Sequence, residues 1–372
     1  MNEIEMQSPL IDFHRAAGAE LANYFGVLLP AAFADVRVEY RSARQAVALL
    51  DTNFRSVFSL TGPDRARYLN AVLTSNVRDL QPGKGTIGLL LNAQGHILAE
   101  LETLACEDRI VILGHALGRK KTAEILEKFI IMDDATLTDD TADTGTLAIE
   151  GPLASTIVRQ LTELDLAAVP LRGHTAVSIK SASGAAIPCR LIRHSLFGFP
   201  GAEFLVSRQA LGALWGVFAA AVVSGGAPIG YHALNSLRLE AGIPWFSVDF
   251  DERQIPHEAG LENTHISFTK GCYTGQEIVE RVRSRGHVNR RLTGVQFNTS
   301  EAPLAGAALT VNGADAGHVT SAAFSPLASK AIGMAYLRRE YSKPGVPIQC
   351  GDISAELLEL PLPLAAPPAP TG

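Results

Sequence analysis

Residues 86–106 read TIGLLLNAQGHILAELETLAC, two apolar runs separated by a short polar stretch at residues 92–95. Each run is long enough to form a strand, and Gly95 can adopt the positive φ that a tight turn needs. Two strands joined by so short a turn are antiparallel neighbours. The stretch therefore predicts a β-hairpin, and with it an antiparallel sheet.

The segments on either side mix helices and strands without a regular strand–helix–strand alternation. Apolar positions at helical spacing predict helix over residues 11–50, and a strand from residue 54 is followed by a helix from about Asp64. Further segments are predicted as a helix at 118–132 and strands at 146–151, 174–181, 186–194 and 202–207. After residue 290, short strands alternate with Gly, Pro and Asn turns, which is typical of a small all-β domain. The pattern predicts the α+β class.

Composition narrows the class of protein. A chain of 372 residues exceeds one ordinary core, so two or three domains are expected. Its 47% hydrophobic and 19% charged residues are typical of a globular protein, and its net charge of −6 argues against a chain that coats nucleic acid. The four cysteines form no CxxC pair, which favours a reducing cytoplasm.

No targeting or membrane segment is predicted. The acidic N-terminus lacks the basic, then apolar pattern of a secretion signal. The most apolar run, residues 210–223, is shorter than the roughly 20 residues of a membrane span, so it is predicted to be a buried helix. Residues 361–372 contain five prolines and are predicted to be a disordered tail.

Residues 270–277 read KGCYTGQE and predict both a helix start and a reactive thiol. Thr274 and Glu277 fit a capping box, and Gly286 stands where a helix-ending glycine is expected. Cys272 would then lie before a helix N-terminus and beside Lys270, which both favour thiolate. The alternative is that Cys272 is a small buried residue that fills a turn.

The segment from Lys270 to Arg291 is basic. Six Lys or Arg residues and two Glu residues give it a formal charge of +4. Such a patch can hold a phosphate or several carboxylates, and the alternative is a solvated helix face with local ion pairs.

The octapeptide KGCYTGQE resembles the signature of the YgfZ family, folate-binding proteins tied to iron–sulfur cluster assembly or repair and to tRNA modification. That family lies in the superfamily of the glycine cleavage T-protein, an aminomethyltransferase. Other segments, such as LLNAQGHILAE and LRLEAGIP, resemble the superfamily over residues 40–340. The resemblance implies a three-domain cloverleaf around a folate and a C-terminal β-barrel. Its domains would be 1–60 with 145–240, 61–144 with 241–288, and 289–360.

Residue by residue, the resemblance separates two branches. The paired aspartates of the aminomethyltransferases are matched by Ala99-Glu100, and a longer Glu100 side chain would misplace the carboxylate. The tyrosine of a second motif is matched by Leu196, whereas its pterin-binding glutamate is matched by Glu203. Two other superfamily positions, Arg238 and Glu240, could bind the ligand or form a structural ion pair. Cys272 and Lys270 are the predicted catalytic residues, no metal ligands are predicted, and the predicted folate-binding residues are Glu203, Asn92, Glu100, Arg238, Glu240, Tyr273 and Gln276.

On this basis the resemblance implies a cytoplasmic, tetrahydrofolate-binding accessory factor. Its partners would be a reduced folate and iron–sulfur client proteins or assembly factors, with no membrane and no direct nucleic-acid partner. The alternative is a folate-dependent aminomethyltransferase. An RNA-binding module is a third class, disfavoured because no aromatic residues interleave with the arginines.

Overall fold

The computed structural model describes residues 6–223 and 225–363. Of the predicted disordered tail, residues 364–372 lie outside this described part. The strands are β1 Met6–Gln7, β2 Glu20–Tyr24, β3 Val27–Ala32, β4 Ala48–Asp51, β5 Arg55–Thr61, β6 Gly85–Leu91, β7 Ile97–Ala105, β8 Ile110–His115, β9 Thr136–Asp139, β10 Thr144–Glu150, β11 His174–Lys180, β12 Ala186–Arg193, β13 Gly201–Ser207, β14 Ala227–Pro228, β15 Arg290–Phe297, β16 Ala308–Val311, β17 Ala314–Ser325, β18 Lys330–Arg338, β19 Ile348–Cys350 and β20 Ile353–Leu358.

The α-helices are α1 Ile11–Ala16, α2 Val36–Gln45, α3 Arg65–Val72, α4 Arg119–Phe129, α5 Ala154–Thr162, α6 Leu211–Val222, α7 Tyr231–Glu240, α8 Pro256–Ala259, α9 Glu262–His265 and α10 Gln276–Arg285. The predicted apolar helix is α6, whose Leu214 and Phe218 are buried in a hydrophobic core. Among the described residues, no helix combines the length and the apolar character needed to cross a bilayer.

The chain divides into two compact units. One runs to Leu234 and resumes over Phe250–Val288, and the other comprises Asn235–Asp249 and the residues from Asn289 onward. The first unit contains a three-stranded sheet β1-β3-β2, a six-stranded sheet β11-β12-β13-β10-β4-β14 and a five-stranded sheet β6-β7-β8-β5-β9. The second contains a closed barrel β15-β18-β17-β16-β19-β20. The predicted α+β class and C-terminal barrel are confirmed, while the predicted domain boundaries stay a prediction.

Within the first unit, the two larger sheets share a small apolar core. Val57, Leu104, Val111 and Leu113 of the five-stranded sheet pack with Ile192 and Leu205 of the six-stranded sheet. Such burial holds the two sheets in a fixed relation. Polar side chains that border this core are therefore held near one another.

The predicted hairpin is confirmed. β6 and β7 pair antiparallel, and Gly95 has a φ of +77°. The turn is stabilised by Asn92, whose Oδ1 accepts hydrogen bonds from the backbone N–H groups of Gln94 and His96 at 3.0 and 2.9 Å.

The predicted helix over residues 11–50 is wrong for most of its length. The segment contains two short helices, the β2–β3 hairpin and the strand β4. Tyr24 pairs with Val27, so Phe25 and Gly26 form a two-residue turn, with φ values of +56° and +79°. Positive φ at both turn positions matches the twist of a hairpin, and this turn breaks what looks like one helical pattern.

Candidate functional site

A row of charged side chains crosses the five-stranded sheet where β7, β8 and β5 lie side by side. Arg55 pairs with His115 in register, and Glu102 pairs with Leu113. Two residues before Glu102 on β7, Glu100 consequently falls beside His115. Because side chains alternate along a strand, Glu100 and Glu102 project from the same face.

Glu100 is a carboxylate held between two histidines. Its Oε1 lies 3.0 Å from His265 Nε2, and its Oε2 lies 3.7 Å from His115 Nε2. Burial opposes its ionisation, but the hydrogen bonds and electrostatic attraction of His115 and His265 hold the pKa of Glu100 well below its usual range. With 17% of its side chain exposed, it is an ionised group that a ligand can reach.

The second histidine is itself held in place. The Nδ1 atom of His265 lies 2.7 Å from the hydroxyl of Thr264, so Nε2 is the nitrogen that faces Glu100. A fixed ring orientation of this kind fixes the carboxylate as well.

Arg55 and Glu203 form a buried ion pair between the two sheets. Arg55 Nε lies 3.1 Å from Glu203 Oε1 and Nη2 lies 2.9 Å from Oε2, which is a two-point hydrogen-bonded contact. Burial opposes ionisation of Glu203, but the charge of Arg55 lowers the pKa of this carboxyl. Glu203, the predicted pterin ligand, is thus ionised and already hydrogen-bonded to a cation of the protein.

Glu102 lies on the other side of Arg55. Its carboxylate is 3.7 Å from Arg55 Nη2, 3.7 Å from Arg172 Nη1 and 3.6 Å from His194 Nε2. Burial lowers the pKa of His194, which favours the neutral ring. Two arginines therefore balance the two buried carboxylates Glu102 and Glu203.

Glu102, His194 and Glu203 are close enough to share a metal ion, since one ligand atom from each lies within 4.8 Å of the others. The guanidinium of Arg55 contacts both carboxylates, and with Arg172 it balances their charge. A cation would have to displace a buried arginine, so this donor set fits a protein ion-pair cluster better than a metal centre.

The structure gives Lys270 a different role from the predicted one. Its buried Nζ donates to the backbone carbonyls of Asn70, Leu73 and Ser75, the last at 3.0 Å, and so closes the C-terminal end of α3. Burial lowers the pKa of Lys270 to about 8, so the ammonium persists at neutral pH. Cys272 is exposed, and no hydrogen bond joins it to Lys270 in the described chain. The predicted catalytic roles of Lys270 and Cys272 stay predictions.

The predicted capping box is also wrong. The N-cap of α10 is Gly275, with a φ of +81° and no side-chain cap. A Cβ added at Gly275 would lie 2.6 Å from the carbonyl oxygen of Asn92, and one added at Gly95 would lie 3.0 Å from Ile278. A glycine is thus required at position 275 because its backbone packs directly on the hairpin turn. Gly286 follows the helix in an extended, not left-handed, conformation.

Tyr273 and Gln276 flank this contact. The Tyr273 ring is buried against the ammonium of Lys270 at 5.0 Å, and burial raises the pKa of its hydroxyl to about 12. Gln276 is partly exposed and begins α10. Their predicted contacts with folate stay predictions.

Arg238 and Glu240 belong to the second unit. Arg238 is fully buried, pairs with Asp249 and donates to Ser321 Oγ at 2.6 Å. Glu240 accepts from Ser325 Oγ at 2.5 Å. The structural ion pair of Arg238 is thus formed with Asp249 and not with Glu240, and the predicted folate contacts of both residues stay predictions.

The basic segment is partly neutralised. Arg281 pairs with Glu277 at 3.0 Å, Arg283 pairs with Glu280 at 3.5 Å, and the Arg283 guanidinium also lies 4.0 Å from the centre of the Phe268 ring. These contacts favour the solvated helix face over a phosphate site.

The sequence missed the partners of the predicted glutamates. Arg55, Glu102, His115, His194, Arg172 and His265 were not singled out. One signal was available, since glutamates at positions 100 and 102 of a predicted strand must lie on one face. The others are brought together only by the packing of the two sheets.

Comparison with known proteins assigns this chain to a family. The GCVT N-terminal domain matches residues 10–270, and the glycine cleavage T-protein C-terminal barrel domain matches residues 290–362. The chain belongs to the glycine cleavage T-protein family. Aminomethyltransferases from Picosynechococcus sp. and Rippkaea orientalis are 30% and 28% identical over 341 and 351 residues, covering 91% and 92% of this chain and 92% of each relative.

The fold of the chain is also similar to that of a solved structure. The crystal structure of glycine cleavage system aminomethyltransferase T from Bartonella henselae superposes with a TM-score of 0.83 at 22% identity, covering 96% of this chain and 98% of that one. At this identity the likeness shows the fold alone. The fold expected from the T-protein superfamily is confirmed.

The expectation of an iron–sulfur accessory factor is wrong. T-protein family relatives that match nearly the full length of this chain are named aminomethyltransferases, which favours the alternative function. The octapeptide and the exchange at Ala99-Glu100 are local features, whereas the similarity to aminomethyltransferases extends over nearly the whole chain. In the structure, two histidines hold the Glu100 carboxylate in one orientation.

Proposed function

We propose that the chain is a folate-dependent aminomethyltransferase, which moves a one-carbon unit from the aminomethyl group of a carrier to a reduced folate. The names of its relatives support the reaction class. The carrying observation is the Glu100 carboxylate, ionised, partly exposed and fixed by His115 and His265.

The environment of Glu100 suits it to charge stabilisation. A folate nitrogen that attacks carbon becomes positively charged as the new bond forms. A preorganised carboxylate nearby stabilises that charge, and such electrostatic stabilisation is a large part of enzymatic catalysis. With its pKa held low, Glu100 is a weak base and acts mainly through its charge rather than by accepting a proton.

Reduced folate is the proposed second substrate. A pterin edge presents an exocyclic amine and a ring N–H as two parallel donors, which match a carboxylate. Glu203 is the proposed acceptor, in the same unit as Glu100 and linked to it through Arg55, whose charge interacts with both carboxylates. Membership in the YgfZ branch, suggested by the octapeptide, and a cytoplasmic location stay predictions.

The proposal is tested with purified chain, tetrahydrofolate and an aminomethylated carrier protein. Transfer of the carbon frees the amino group, so ammonia release should depend on both substrates. A carrier without the aminomethyl group is the control. Binding of tetrahydrofolate without any carrier-dependent ammonia release over many hours would contradict the proposal.

A further inference from the structure

Glu102 is a buried carboxylate with unused acceptor capacity. Its side chain is 1% exposed, and neither oxygen accepts a hydrogen bond within the described residues. The nearest cationic nitrogens, on Arg55 and Arg172, lie 3.7 Å away, beyond hydrogen-bonding distance. Buried carboxylates are nearly always hydrogen-bonded, because the group has lost its water. The arrangement therefore calls for an explanation beyond packing.

Arg55 lies between two carboxylates and hydrogen-bonds only one of them. Its Nη2 is 2.9 Å from Glu203 Oε2 and 3.7 Å from Glu102 Oε2. A movement of roughly 1 Å would bring the same nitrogen within hydrogen-bonding distance of Glu102. Arg55 can thus exchange partners without leaving the cluster.

We propose that Glu102 is the second acceptor for Arg55, which takes the guanidinium when a ligand's donor pair binds Glu203. This inference rests on the proposed function, which supplies a reduced folate as the ligand. The two donors of a pterin edge and those of the guanidinium compete for the same oxygens of Glu203.

Glu102 allows the ligand to displace Arg55 from Glu203. A displaced Arg55 without a new partner would be an unpaired buried cation, which is strongly unfavourable. With Glu102 in place, one hydrogen-bonded pair replaces another and the charge of the cluster does not change. Glu102 is therefore a positioning residue, which acts on the ligand through Arg55.

The test compares two ligands by calorimetric titration. One is 5-formyltetrahydrofolate, and the other is its analogue with methyl in place of the 2-amino group, which has one donor fewer. Glu102→Gln removes the charge that Arg55 would move to. Affinity for 5-formyltetrahydrofolate should fall about tenfold or more. The wild type should bind 5-formyltetrahydrofolate more tightly than the analogue, and this preference should shrink in Glu102→Gln. The analogue displaces Arg55 less completely, so its affinity depends less on Glu102.

The matched control is Glu39→Gln. Glu39 is equally buried in the same unit, and its carboxylate accepts from the backbone N–H groups of Ala34 and Gly230 at 2.8 and 2.7 Å. A loss of folding stability alone leaves the preference between the two ligands unchanged, and this is the expected result for the control.

A double-variant cycle isolates the role of Arg55. Lysine makes no two-point contact with Glu203, so Glu102→Gln should have little further effect on affinity in an Arg55→Lys background. If Glu102→Gln does not fold, Glu102→Asp keeps the charge but withdraws the carboxylate, and it should reduce the same preference by a smaller factor.

Two results overturn the inference in distinguishable ways. A wild-type protein that binds 5-formyltetrahydrofolate, with a preference that neither Glu102 variant alters, overturns the role of Glu102 alone. A wild-type protein that binds no reduced folate overturns the proposed function and this inference with it.

Discussion

Replacing Lys270 with methionine should destabilise the first unit strongly, because three backbone carbonyls then lose a buried partner. The ammonium donates to the carbonyls of Asn70, Leu73 and Ser75 at the end of α3. Each lost hydrogen bond costs about 1 kcal/mol, and more where the carbonyl stays dry. We expect Lys270→Met to lower the free energy of unfolding by about 3 kcal/mol and the melting temperature by roughly 6–10 °C.

The pH dependence of this loss has a definite sign. Burial lowers the pKa of Lys270 to about 8 in the folded protein, below the 10.5 of the free side chain. Between these values the unfolded chain binds more protons, so this residue makes the wild type more stable as pH rises from about 8 to 10.5. The stability difference between wild type and Lys270→Met should therefore widen in that range.

Chemical denaturation at several pH values measures both effects. Lys120→Met is the control, because Lys120 is exposed and makes only a 3.9 Å contact with Glu124, worth about 0.5 kcal/mol or less. A Lys270→Met midpoint equal to that of Lys120→Met would refute the carbonyl-binding role. It would return Lys270 to consideration as a functional group.

Other substitutions test the remaining parts of the structure. Gly275→Ala should lower the free energy of unfolding by about 2–4 kcal/mol, because a Cβ would clash with Asn92 at a positive φ. Thr274→Ala should change the free energy of unfolding by less than about 0.5 kcal/mol, since Thr274 is not the N-cap of α10. Equal effects of these two variants on the denaturation midpoint would contradict the assignment of the N-cap. Arg238→Met should cost about 3–5 kcal/mol by leaving Asp249 buried and unpaired, and adding Asp249→Leu should recover most of it. A stable Arg238→Met protein that no longer binds reduced folate would instead make Arg238 a ligand contact.

The parts of the fold that depend on local sequence were predictable. The hairpin at 86–106 follows from two apolar runs and Gly95, and the barrel strands follow from short runs between turn residues. The β2–β3 hairpin was missed because its turn, Phe25-Gly26, lies inside a pattern that also fits a helix. Local pattern alone cannot choose between the two for so short a segment.

The site was less predictable because its contacts are distant in sequence. Arg55 and Glu203 are separated by 148 positions, and Lys270 reaches carbonyls about 200 positions away. Residue identity near the octapeptide suggested that Lys270 serves Cys272, whereas only the fold shows that its ammonium binds backbone carbonyls at the end of α3. Glu100 was identified from its place in a motif, yet only the fold reveals the two histidines that fix it.

The most direct test of the central claim is the rate of aminomethyl transfer by Glu100→Gln. The variant keeps the size of the side chain and its hydrogen bond to His265 but removes the negative charge. We expect kcat to fall by about a hundredfold or more while the affinity for reduced folate changes little, since the charge matters mainly in the transition state. Transfer by Glu100→Gln at the wild-type rate, in a protein whose wild type is active, would contradict it.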